Sequence, residues 1–150
     1  KEELFKAVIT EAIGGPLAEA TEMIDHFEGT SEQLLRELVG GFRTFEESPA
    51  RGVIKLILAE AGNFPDVARF FCTHFDRRSH DLFVRTLRRG VESGEFRPLP
   101  NLEMTAIIIV QPLAMFSVWK RSLAPFDPQP VDSDDYYNAH LDFVLKGLRP

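Results

Sequence analysis

Cys72, Asp76 and His80 stand four residues apart in turn, and thiolate, carboxylate and imidazole are the donors that zinc and related metals take. On one straight helix they would spread over about 12 Å, too far for a single ion to reach the outer two. No metal site is expected. Ser79, His80 and Asp81 supply the residue types of a nucleophile, a base and an orienting acid. Consecutive helical residues point in different directions, so these three form no triad. The chain has no glycine-rich phosphate loop, no paired-cysteine motif and no His-Glu-x-x-His. The expectation is a protein that is not an enzyme and has no cofactor. Arg77, Arg78, Arg85, Arg88, Arg89 and Arg97 crowd one region, but acids lie among them, and a solvated face accounts for them more simply than a site for an acidic partner.

What remains is binding chemistry. Gln111 lies inside an apolar run beside Pro112, where its amide can donate and accept within oily surroundings. It can equally bond a freed backbone carbonyl, or its own twin across a dimer. His74 shares an apolar helix side with Phe71 and Phe75. With Phe42, Met104, Met115 and Trp119, these residues are candidates to line a hydrophobic ligand cavity, the methionines adapting to varied shapes. The plain alternative is core, and most are expected to be core.

Thirteen Phe against two Tyr and one Trp give the interior many rigid, wholly apolar fillers. A net charge of −6 excludes nucleic-acid binding through bulk electrostatics. One cysteine permits no internal disulfide and, with no signal-peptide pattern at the start, points to the cytoplasm. The apolar run over 105–118 is broken by Gln111 and closely flanked by Glu103 and Lys120, so no membrane partner is expected.

These side chains need helices to position them. Residues 64–94 form the organising stretch: Pro65 suits a first helical position, Gly94 suits a left-handed cap, and apolar residues recur at three- and four-residue steps. A helix of that length is about 45 Å long and must pack along several others. Before it, residues 1–13 are in helical rhythm and look cut at the head of a helix. Gly14-Gly15-Pro16 interrupts them, and the pattern resumes over 17–27 as a second limb or a kinked continuation. Thr30 with Gln33 makes a capping box for a helix over 31–46. Ser48-Pro49 starts another, mostly apolar and expected to be buried.

After the long helix, Asn101 caps a helix over 102–123 that is apolar on nearly every side and kinked at Pro112. Such a helix must be covered on two sides, by core alone or by core and a partner subunit. Ser133 caps a last helix over 134–146. The fold class expected is all-α, an antiparallel bundle of about six helices forming one domain over 1–150.

Three stretches carry a family resemblance: KEELFKAVI at the start, ILAEAGNFPDVARFF in the middle, and LRRGVESGEFRP at the end of the long helix. In that order and spacing they resemble the ligand-binding and dimerisation domain of the TetR/AcrR family of transcriptional regulators. The last third is similar only in pattern. The resemblance implies a homodimer sealed by the last two helices, with Ile109, Leu113, Phe116, Tyr137, Leu141 and Val144 in the contact. It implies a pocket for a small hydrophobic effector between the first helix, the long helix and the 101–123 helix. It also implies DNA binding, and with it repression, only through an N-terminal helix-turn-helix domain that is missing from this chain. The alternative, from a different class, is a free-standing all-α ligand-binding or interaction module with no DNA role.

Overall fold

The computed structural model describes all 150 residues, Lys1–Pro150. α1, Glu2–Asp25, runs unbroken through Gly14, Gly15 and Pro16. Of the two outcomes expected there, a second limb or a continuation, the chain takes the continuation: Ile9 and Leu17, on either side, are both buried, and tertiary packing carries a helix across a locally weak stretch. Thr30 Oγ1 accepts the Gln33 N–H at 3.1 Å while the Gln33 side chain accepts the Thr30 N–H at 2.9 Å. That capping box opens α2, Ser31–Glu47.

Ser48 does not act as the expected cap. Its hydroxyl donates back to the Phe45 carbonyl at 2.7 Å, and Pro49–Gly52 make a 3₁₀ turn before α3, Val53–Glu60. α3 is also less buried than its composition suggests. Only Val53 and Ile57 are buried, and Leu56 and Leu58 face outward, since an eight-residue helix at the edge turns one side inward.

The long helix forms as one rod, but not with one pitch. α4, Pro65–Phe71, passes into a π turn, Cys72–Asp76, and then α5, Arg77–Ser93, ending at left-handed Gly94 with φ 78°. A π turn absorbs an extra residue and so rotates the helix beyond it. Gly90 is the buried residue of the last turn, and Val91 beside it is half-buried.

Asn101 Oδ1 accepts the Met104 N–H at 2.9 Å and opens α6, Leu102–Ser122. α7, Ser133–Leu148, is capped by Asp132, whose Oδ1 accepts from Asp134 and Asp135; Ser133 instead lies inside the helix. Counting the rod once, the fold is six helices and no strand. α6 packs on α5 and α3, and α7 packs on α2. Arg97 ties the turn after the rod to the end of α7, its N–H on Leu148 O and its Nε on Gly147 O. Leu35, Val67, Phe83, Leu87 and Leu113 meet in the shared core. α6 alone is long and apolar enough to cross a membrane by length and composition, and one whole side of it lies in this core.

Candidate functional site

Ala106, Ile109, Val110, Leu113, Phe116 and Ser117 are the inward side of α6. On the outward side Met104, Ile108, Gln111 and Met115 follow at steps of four, three and four, one row down the helix. The row is apolar apart from Gln111, and Ile108 is 69 % exposed. α7 buries Tyr137, Leu145 and Leu148, half-buries Leu141 and Val144, and leaves Phe143 79 % exposed. α6 is therefore two-sided in burial though nearly uniform in hydropathy.

This placement separates the expected residues differently from the sequence. Ile109, Leu113, Phe116 and Tyr137, expected at a contact between copies, are covered by their own subunit. Met104, Gln111 and Met115, expected around a cavity, stand on the outer row. The reason is rotational phase: on a helix apolar all round, periodicity cannot say which side meets the core. Ile108 and Phe143, not among the expected residues, are exposed as well. Ile108 fills the step between Met104 and Gln111, and Phe143 interrupts a charged helix side beside Asp142 and Lys146, which are the signals available in the sequence.

The inner aromatic residues are distributed through the core. Phe42, half-buried, has its ring 6.1 Å from that of Phe83, and Phe71 stacks on buried Phe75 at 6.4 Å. Trp119 stacks on Phe116 at 5.9 Å, and Tyr136 covers the same ring at 3.8 Å. His74 is outside, its Nδ1 3.0 Å from the Phe70 carbonyl, at a shallow surface cleft of about 300 Å³ with Lys6, Asp66, Arg69, Phe70 and Thr73. A second surface cleft, about 380 Å³, lies between the α2 start and the α7 end, lined by Thr30, Gln33, Glu95, Phe96 and Arg149 among others.

A polar knot joins α2, α6 and α7. Glu46 is buried near the end of α2, where the helix carbonyls disfavour a negative charge. Ser117 Oγ donates to it at 2.5 Å, and the Arg121 guanidinium lies 3.6 Å from the same oxygen. Arg121 also donates to the Glu46 carbonyl, and Arg43 pairs with Asp134 at 2.5 Å. Burial, reinforced by the Glu46 charge, pushes the Tyr137 phenol well above its ordinary pKa, so it stays neutral. Burial likewise lowers His140, against a hydrogen bond to the Ile109 backbone that raises it. Tyr136 donates to the Pro112 carbonyl at 3.0 Å. Sequence separations of 71 to 75 residues hid this group from local reasoning.

A family model described as Tetracyclin repressor-like, C-terminal domain, matches residues 28–133, from just before α2 to the start of α7. The chain belongs to that family. No curated protein and no solved structure matches it. For this TetR-like domain the family supports a place in transcription regulation. Its Gly-x-x-x-Gly-x-Phe stretch now has a physical reason. The Phe96 ring lies on Gly90, where an added Cβ would stand 2.1 Å from Phe96 Cδ2, and Gly94 takes the left-handed turn that folds the ring back.

Proposed function

We propose that this TetR-like domain is the sensing and pairing part of a ligand-responsive transcriptional repressor working in the cytoplasm. The carrying observation is the outward row Met104, Ile108 and Met115 on α6, with Phe143 of α7. Burying one large apolar side chain contributes about 1.5–3 kcal/mol, so four of them on two helices are natural anchors for a second copy. Gln111 sits mid-row, where a polar residue in an apolar seam fixes the register of two helices.

The effector is small and largely apolar, held between α1, the α4–α5 rod and α6, with Phe71 and Phe75 of the rod and Phe42 of the neighbouring α2 among its walls. DNA contact belongs to a helix-turn-helix domain outside residues 1–150, in keeping with a charge of −6 here. Half-sites on DNA are spaced by the helical repeat, so a small shift of α1 changes whether two such domains reach them together. The effector must bind the two arrangements unequally, since equal affinity shifts nothing.

Light scattering of the chain should give twice its 17.0 kDa. Ile108→Glu, at a side chain that touches little of its own core, should give a folded monomer with an unchanged circular dichroism spectrum. A monomeric native chain overturns the pairing. For sensing, a panel of aromatic and aliphatic compounds should contain some that raise Tm by linkage. A flat panel removes the effector from the reading and leaves a pairing module.

A further inference from the structure

Two helical irregularities face each other in this fold. α1 carries Gly14 and Gly15, which weaken a helix, and Pro16, which has no N–H to give. Across from it the rod makes its π turn at Cys72–Asp76, with the Arg77 N–H reaching the Cys72 carbonyl. The two touch. Phe75 is the buried residue of the turn, and its ring edge lies 3.9 Å from where a Gly14 Cβ would stand. Histidines bond one carbonyl just before the turn and one at its end: His74 Nδ1 is 3.0 Å from Phe70 O in α4, and His80 Nδ1 is 2.8 Å from Asp76 O. Phe70 and Phe71 pack on the Phe75 ring at 5.7 and 6.4 Å, so a change in the turn displaces all three rings.

We propose that residues 14–16 of α1 and the π turn are one hinge, coupled by the Phe75 ring lying over Gly14. An inserted residue in a helix has two discrete resolutions, a local π turn or a shifted register, and packed cores favour such bistable elements over continuous bending. When the turn relaxes, Phe75 leaves Gly14, and α1 bends where its own hydrogen bonding is thinnest. Use of this hinge in signalling rests on the sensor reading above. The coupling itself needs no effector, no DNA and no second copy.

Amide hydrogen exchange on the whole chain tests it. In Gly14→Ala the new Cβ meets Phe75 Cε1 at 3.9 Å and Thr10 Cγ2 at 3.8 Å, both ordinary contacts, so the fold accepts it. The substitution should slow exchange at Leu17, Ala18 and Glu19 about fivefold, the factor matching the glycine–alanine difference in helix propensity. Phe75, Asp76 and Arg77 should slow by the same factor. In a Phe75→Leu background Gly14→Ala should slow the α1 amides alone, as a double-mutant cycle requires for a coupled pair. The hinge is overturned if native Gly14→Ala protects α1 without the π turn, if α1 is unaffected, or if the π turn still responds in Phe75→Leu. None of these outcomes bears on pairing or on effector binding.

Discussion

Gly90 and Glu95 show what single residues do here. A Cβ at Gly90 collides with the Phe96 ring, which is itself buried and cannot swing away without opening the core. Gly90→Ala should therefore destabilise by about 1–3 kcal/mol, the usual cost of overpacking, although alanine is the better helix former. A rise in the urea midpoint would refute this. Glu95 reaches across to α2, where one carboxylate oxygen accepts the Ser31 N–H at 2.8 Å and the Glu32 N–H at 3.3 Å. Burial would raise its pKa, but hydrogen bonds from Ser93 Oγ and these two amides more than offset that and hold it below the ordinary carboxylate value. A lowered folded-state pKa means stability that is complete above the unfolded value of about 4.3 and disappears as pH falls through the folded one. Glu95→Gln should cost about 1 kcal/mol at neutral pH and flatten the loss of stability on acidification, read from urea melts at pH 7 and pH 3. Gly90 was visible in the sequence as part of a motif. The partner of Glu95 was not, because 64 residues separate it from Ser31.

At the scale of elements, helix starts were legible where their signals are local. Thr30 with Gln33, and Asn101, cap as their spacing indicates. Ser48 and Ser133 did not, since Ser48 bonds backward and Asp132 one residue earlier takes both α7 amides. Pro16 failed to divide α1, and no sequence period announced the π turn, because both depend on neighbours in space. The α2–α6 junction rests on the same kind of distant pairing. Arg121→Met would leave the Glu46 carboxylate buried with only Ser117 for support, and should destabilise by about 3 kcal/mol. Adding Glu46→Gln should restore much of that loss in urea unfolding, because the neutral amide no longer needs a cation. If the double variant is as unstable as Arg121→Met, the guanidinium acts by packing rather than by charge.

For the molecule as a whole, the pairing reading predicts that Tm rises with protein concentration, by mass action, and that this dependence vanishes in Ile108→Glu. A concentration-independent native Tm would speak against pairing. The amino-acid sequence determined the class and the order of parts: six helices, no strand, and three stretches in the spacing of a TetR-like regulatory domain. Those are carried by local periodicity, caps and breakers, which act over a few residues. Only the tertiary structure decided which side of α6 turns inward. Ile109 and Leu113 went to the core, while Ile108 and Met115 were left facing out. A helix apolar on every side carries no rotational information of its own, and its orientation is set by the shapes of the helices against which it packs.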